Sequence, residues 1–128
     1  MPDVPESHKD LLQAPVGVLA TNGRDGQPQV SALWFLYEDG KIKISLNNSR
    51  QKLKNLERDP RCTLFILDPN NPYRTLEIRA KAELTPDPNY EFADQVGKKY
   101  NADLRAMDQP GQSRFVVTLE PLRYNPWG

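Results

Sequence analysis

The sequence predicts a mainly β protein, in which six antiparallel strands form a barrel or half-barrel with short helices between them. Apolar residues fall into short strand-like blocks along most of the chain. Two of the turns between blocks contain Asp-Gly, a pair that favours tight hairpins because glycine readily adopts a positive φ. The helical segments do not alternate with the strands, so a parallel α/β sheet is not expected.

The expected elements follow from where these blocks begin and end. Strands are expected over 16–21, 27–37, 42–46, 62–67, 75–84 and 115–119. Helices are expected over 7–14, over 49–59 and from Asp87 to Tyr100. Proline ends the first two helices, and Asp87-Pro88 offers the third an N-cap followed by a position that tolerates proline. The stretch 101–112 is interpreted as a loop, and 121–128 as a tail.

Composition limits the classes of function. The 128 residues suit one domain, expected over 1–128. Because 17 Lys and Arg balance 17 Asp and Glu, a protein that grips DNA or RNA is not expected. A single Cys and a single His exclude a disulfide within the chain and a thiolate zinc site, and we expect no metal. Apolar runs are too short to span a bilayer and the first ten residues lack a secretory pattern, so we expect a cytoplasmic location.

No constellation of catalytic side chains is apparent. His8 has no carboxylate or nucleophile associated with it and is interpreted as a surface or packing residue. Cys62 lies inside an apolar strand and is interpreted as an inert buried thiol. The sequence patterns of serine hydrolases, zinc peptidases and dinucleotide or P-loop sites do not occur. If the protein is an enzyme, a bound cofactor is therefore expected to supply the reactive atoms.

The helix expected over 49–59 has its charges in an unfavourable order. Arg50 and Lys52 stand in its first turn and Lys54 just after, whereas Glu57 and Asp59 stand at its end. The start of a helix already carries free N–H groups and a partial positive charge, so basic residues there are unfavourable unless an anion is bound. A phosphate would remove this conflict, because arginine can bind phosphate oxygens with two parallel hydrogen bonds.

Hydroxyl and amide donors precede this helix, namely Ser45, Asn47, Asn48 and Ser49. They would add hydrogen bonds to a phosphate at the corner between strand and helix. The alternative is that the basic residues form a solvated face, with Ser49 simply capping the helix, at a cost below about 1 kcal/mol. The charge pattern alone does not decide between these two interpretations.

A second candidate surface is the strand that contains Ser31 and Ala32. These small residues lie between larger neighbours and would let a flat ring approach the backbone, whose N–H and C=O groups can bind ring edges. The alternative is a barrel strand that tapers to fit its core. Trp34 and Phe35 are interpreted as core or dimer-interface residues.

The run from VGVLATNGRDGQPQVSALWFLYEDG through SLNNSRQKLKNLERDP to YRTLEIRAKAELTPDP resembles the pyridoxamine-phosphate-oxidase-like, flavin-binding split-barrel superfamily. Within it, the chain is most similar to small actinobacterial oxidoreductases that use the deazaflavin coenzyme F420. The resemblance is clear over 16–88 and looser in the last strand. Its most specific element is R-x-K-x-x-N-L-x-x-D-P, which falls on the helix described above.

The resemblance implies a homodimer of six-stranded split barrels with two cofactors in grooves between the subunits. It implies a phosphate site at Ser45, Arg50, Lys52 and Asn55, and a ring site at Gln29, Val30, Ser31 and Ala32. Tyr73 matches a position where this group often brings an aromatic side chain from the other subunit. No catalytic side chain is assigned.

The function implied is an F420-dependent oxidoreductase that transfers a hydride between C5 of the deazaflavin and a small conjugated or unsaturated substrate. An FMN-dependent oxidoreductase on the same barrel and a non-catalytic flavin or deazaflavin carrier are the alternatives. Pyridoxamine phosphate oxidase activity itself is not expected, because the chain lacks the longer C-terminal part with which that enzyme grips its substrate.

Overall fold

The fold is described from a computed structural model, which covers residues 2–128. Two α-helices, α1 (Gln51–Arg58) and α2 (Glu91–Tyr100), accompany two 3₁₀ helices, Glu6–Gln13 and Arg105–Met107. The strands are β1 (Gly17–Asn22), β2 (Pro28–Leu33), β3 (Leu36–Glu38), β4 (Lys41–Asn47), β5 (Arg61–Asp68), β6 (Asn71–Pro86) and β7 (Arg114–Trp127).

All seven strands belong to one antiparallel sheet in the order β2-β1-β5-β6-β7-β4-β3. The two edge strands, β2 and β3, are consecutive in the chain and are joined only by Trp34 and Phe35. The sheet must therefore curl until its edges meet, and this curling encloses one main core. Leu19, Leu64 and Ile78 contribute to that core from strands β1, β5 and β6. The predicted fold class is confirmed.

The strand expected over 27–37 is divided, which makes seven strands where the sequence predicted six. The cause lies at Phe35, which is fully buried. The Phe35 N–H donates to Tyr100 Oη at 3.2 Å, and Tyr100 Oη and Lys99 Nζ both donate to the Phe35 carbonyl at 2.9 Å. Helix α2 thus satisfies backbone groups that would otherwise pair with a neighbouring strand, and β2 ends before them.

The expected tail over 121–128 is wrong as a prediction, because β7 continues to Trp127 beside β6. The register of this pair shifts between Arg79 and Ala80. Two prolines interrupt the alternation of the segment and hide its strand pattern from sequence reasoning.

The three helices expected from the sequence are present, but their bounds differ from the expected ones. Helix α2 begins at Glu91, later than expected, yet the Asp87 carboxylate still caps it by accepting the N–H groups of Phe92 and Ala93 at 3.3 and 3.0 Å. The first helix is 3₁₀ and covers Glu6–Gln13. Its His8 is buried and donates through Nε2 to the Trp127 carbonyl at 2.9 Å, in agreement with a packing role. No helix within residues 2–128 is long and apolar enough to cross a membrane.

Candidate cofactor-phosphate site

The corner between β4 and α1 is held by a short network of hydrogen bonds. Asn47 Oδ1 accepts the Ser49 N–H at 3.0 Å and Ser49 Oγ at 2.6 Å. Asn48 exchanges hydrogen bonds with Ser113, just before β7. Ser49 therefore does not cap α1 as the alternative interpretation supposed; Arg50 occupies the N-cap position, and α1 starts at Gln51.

The unfavourable charge order at the start of α1 is present in the structure. The first turn holds no acidic residue, and no side chain of the described residues caps it. At the far end, Arg58 donates to the Asn22 carbonyl at 2.6 Å, and Asp59 pairs with Arg61. The acidic charge at that end is thus compensated locally, whereas the basic charge of Arg50 and Lys52 at the helix start is not. An anion at this position would be stabilised by both the side chains and the helix start.

A cavity of about 290 Å³ opens beside this helix start. Four of the expected site residues line it: Ala32, Ser45, Arg50 and Lys52. Asn47, which the sequence offered as a further phosphate donor, also lines it. The lining residues that sequence reasoning did not assign to the site are Leu33, Trp34, Leu46, Val96, Leu104, Met107 and Arg114. The cavity thus has a cationic wall from α1 and β7 and an apolar wall from α2 and the segment after it.

Lys52 is the cation most affected by its surroundings. Its Nζ donates to Ser31 Oγ at 2.7 Å, which connects α1 to β2. Partial burial, and secondly the positive charge of Arg50, lower the pKa of Lys52 below its usual value. Both effects disfavour the charged amine, and a bound anion would counteract both.

Asn55 and Gln29 lie behind the cavity instead of lining it. Asn55 is 1% exposed; its Nδ2 donates to Thr21 Oγ1 at 3.1 Å and to Gln29 Oε1 at 3.2 Å, while its Oδ1 accepts Gln51 Nε2 at 3.0 Å. All polar atoms of this side chain therefore have protein partners. In this structure Asn55 fixes α1 against β1 and β2, and supports the site from behind.

The expected ring strand, β2, offers a free backbone edge. As the first strand of the sheet order it pairs only with β1, so the N–H and C=O groups on its other side are unpaired by strands. Alternation places Val30 and Ala32 on the exposed face, and Gln29 and Ser31 towards α1. Tyr73 lies away from the cavity on the β5–β6 hairpin and is 79% exposed.

Arg114 is the charged residue of the cavity that sequence reasoning missed. It is 7% exposed and forms a buried ion pair with Asp108, whose side chain is 4% exposed. Asp108 also accepts Asn47 Nδ2 at 2.9 Å and Tyr90 Oη at 2.7 Å. Burial on its own would raise the pKa of Asp108, but hydrogen bonds from Arg114, Asn47 and Tyr90 lower it to about 2. An arginine at the start of an apolar strand was the only signal of this pair in the sequence.

The side chains offer little acid–base chemistry. Burial, and secondly the charge of Asp59, raise the pKa of Cys62 to about 12, in agreement with an inert thiol. The cavity wall contains no carboxylate and no histidine. Residues 2–128 hold no group of three or more His, Cys, Asp or Glu that would bind a metal ion. The arrangement is suited to holding an anion and an adjacent flat group.

Residues 4–128 match the pyridoxamine 5'-phosphate oxidase family. The chain belongs to this family. Its members bind flavins and include oxidoreductases. A solved structure named F420 reductase is 33% identical, with a TM-score of 0.84, and the match covers 95% of this chain and 98% of the other.

Two further solved structures are similar to this chain. A conserved hypothetical protein from Mycobacterium tuberculosis is 25% identical with a TM-score of 0.78, over 98% of this chain and 85% of that one. The heme storage protein HutZ from Vibrio cholerae is 19% identical with a TM-score of 0.75, over 95% of this chain and 93% of the other. The last likeness concerns the fold alone.

The Asp108 carboxylate predicts a defined dependence of stability on pH. Because its pKa is lower in the folded state than the usual value of about 3.9, its contribution to stability is complete above about pH 4 and is lost as the pH falls towards about 2. Urea unfolding of the wild type and Asp108→Asn should therefore differ most near neutral pH and converge in acid. Glu83→Gln, at an exposed position of β6, controls for the change in net charge. A difference that is independent of pH would contradict this assignment.

Proposed function

We propose that this protein is an F420-dependent oxidoreductase that transfers a hydride between the deazaflavin and a small conjugated or unsaturated substrate. The observation that carries the proposal is the cavity at the start of α1, where Ser45, Arg50 and Lys52 lie together beside the free edge of β2. The 33% identity with an F420 reductase over nearly the full length of both chains supports the choice of cofactor. We propose one cofactor-binding domain over 1–128, acting in the cytoplasm.

The residues present fit such a cofactor. Arg50 and Lys52 would hold its phosphate with charge-assisted hydrogen bonds, and Ser45 would add a hydroxyl. The β2 backbone from Gln29 to Ala32 would line the ring, since its outer edge has no strand partner. Bound F420 supplies the carbon that gives or accepts the hydride. The protein contributes orientation in a partly apolar cavity, which agrees with the absence of carboxylate and histidine from the cavity wall.

An FMN-dependent oxidoreductase is the nearest alternative, because the same phosphate residues suit either cofactor. A carrier without catalytic activity is the second alternative, and the fold is also that of a heme storage protein. The phosphate cavity does not distinguish these possibilities by itself. The identity with the F420 reductase favours the deazaflavin.

We also propose that two copies form a homodimer through the outer face of β2, β1 and β5. Cross-strand partners on this face are small or apolar: Ala20 lies between Val30 and Thr63, and Val18 lies between Ala32 and Phe65. Val30 is 60% exposed. Because Val30 and Ala32 also belong to the expected ring strand, a second copy here would close a groove over that strand. Tyr73 of the partner subunit is proposed to enter this groove.

Replacement of both Arg50 and Lys52 by Ala should weaken binding of F420 by about 3 kcal/mol or more, roughly 100-fold, because two charge-assisted hydrogen bonds are lost. Folding should be nearly unchanged, since both cations stand at an unfavourable helix end. Fluorescence titration measures the affinity, and Lys54→Ala, an exposed position on the same helix, is the matched control. If the double variant binds F420 as tightly as the wild type does, Arg50 and Lys52 form a solvated face and do not bind the phosphate.

Turnover tests the enzymatic part of the proposal. The wild type should oxidise reduced F420 in the presence of at least one member of a panel of enones, quinones and tetrapyrroles, followed by absorbance of the oxidised cofactor. Tight binding of F420 with no turnover across the panel would instead support the carrier.

The oligomeric state tests the shared groove. Sedimentation velocity at micromolar concentration should show a dimer for the wild type, and Ala20→Glu should shift it to a monomer by placing a charge in the apolar face. Lys41→Glu, at an exposed position of β4, should leave the dimer intact. A monomeric wild type would refute the groove between subunits.

A further inference from the structure

We propose that Arg114 is a third phosphate-binding cation of this site, held in position by Asp108. The inference rests on the proposed function and adds to it a residue pair outside the α1 region. The sequence resemblance assigned the phosphate to α1 and to Ser45 only, whereas Arg114 reaches the same cavity from the start of β7.

Asp108 and Ser45 fix the orientation of the Arg114 guanidinium. Its Nε donates to both Asp108 oxygens, at 3.2 Å to Oδ1 and 3.0 Å to Oδ2, and its Nη2 donates to Oδ1 at 2.8 Å. Its Nη1 donates to Ser45 Oγ at 3.3 Å. A guanidinium has five N–H groups. Among the described residues, one N–H on Nη1 and one on Nη2 are thus left without an acceptor.

The Arg114 guanidinium lies beside the cations of α1. Arg114 lines the cavity together with Arg50, Lys52 and Ser45. N–H groups without a protein acceptor, on a guanidinium that is fixed in place, can donate charge-assisted hydrogen bonds to phosphate oxygens. The Ser45 hydroxyl, itself an expected phosphate ligand, accepts a hydrogen bond from the same guanidinium. The cation from β7 and the cations from α1 therefore surround one space.

The Asp108 carboxylate that holds Arg114 is itself fixed by several hydrogen bonds. Asp108 binds Arg114 on one side and Asn47 Nδ2 on another, and Asn47 in turn holds Ser49 immediately before the helix start. Tyr90 Oη donates to the same carboxylate. One buried carboxylate thus fixes both the guanidinium and the β4–α1 corner. Asp108 is a positioning residue in this scheme, since it does not line the cavity.

A purely structural ion pair would account for the burial of Arg114 and Asp108 but gives no role to the two N–H groups of Arg114 that lack an acceptor. The two roles differ in what they predict for ligands with and without phosphate. Removal of a phosphate-binding cation weakens the binding only of the ligand that carries phosphate, whereas loosening of the fold weakens the binding of both ligands. Comparison of the two affinities therefore distinguishes the two roles.

The test uses F420, FMN and the corresponding phosphate-free chromophores, deazariboflavin and riboflavin, titrated into the full-length protein. Arg114→Lys keeps a positive charge beside Asp108 but lacks the planar guanidinium, so it cannot bind Asp108, Ser45 and a phosphate at the same time. We expect roughly tenfold weaker binding of the phosphate-carrying ligand and less than a twofold change for its phosphate-free counterpart. Arg105→Lys is the matched control, because Arg105 forms the corresponding pair with Asp94 at the surface and lies outside the cavity.

A second variant tests the inference if Arg114→Lys fails to fold. Arg114→Gln combined with Asp108→Asn removes both charges of the pair, so that neither is left buried alone. The thermal midpoint reports whether it is folded, and it should show the same selective loss. Equal weakening of ligands with and without phosphate, or no weakening of either, in folded Arg114 variants would overturn the inference while the proposed function stands.

Inorganic phosphate separates failure of the inference from failure of the proposed function. If the wild type binds neither F420 nor FMN, the proposed function fails, and stabilisation by phosphate against chloride at equal ionic strength becomes the readout. A rise in the thermal midpoint that is lost in Arg114→Lys but kept in Arg105→Lys would support Arg114 as an anion-binding residue. No rise in the wild type would overturn the inference as well.

Discussion

The site depends on positive charge concentrated at the start of a helix, where the helix itself is already positive. Arg50 and Lys52 occupy the N-cap and first turn of α1, with no acidic residue there to compensate them. In an isolated helix this order costs a few tenths of a kcal/mol to about 1 kcal/mol. The surrounding structure maintains it: Asn47 fixes the approach to the helix, and Asn55 ties its middle to β1 and β2. The cost is offset when an anion binds.

The curl of the sheet explains why this helix start faces a cavity. Strands β2 and β3 are the two edges of the sheet, and the chain passes from one to the other at Trp34 and Phe35. Tyr100 stacks on Trp34 with ring centroids 4.5 Å apart, and its hydroxyl bonds the Phe35 backbone. Helix α2 is thereby held beside the place where the edges meet, and Val96 of this helix, together with Leu104 and Met107 after it, forms the apolar wall of the cavity.

Local signals in the sequence were sufficient for the fold class, and they singled out two cations that line one cavity. The Asp-Gly turns predicted hairpins, and the charge order of a single helix singled out Arg50 and Lys52, because both signals act within a few residues. The break in the second strand was not accessible, since it depends on a hydrogen bond from the Phe35 N–H to Tyr100, far along the chain. The Arg114–Asp108 pair was missed for a similar reason: a buried ion pair in a polar segment looks like ordinary surface charge. The supporting place of Asn55 depends on partners from two strands. The role of Tyr73 stays a prediction.

The overall charge of zero conceals this local concentration of cations, which we propose holds the phosphate of a deazaflavin. The most direct measurement is a side-by-side titration of the purified wild type with F420 and FMN in the same buffer, at low and at high salt. We expect tighter binding of F420, with both affinities falling as salt increases because the site is electrostatic. Tight binding of FMN with none of F420 would contradict the assignment of the cofactor, and binding of neither would contradict the phosphate site.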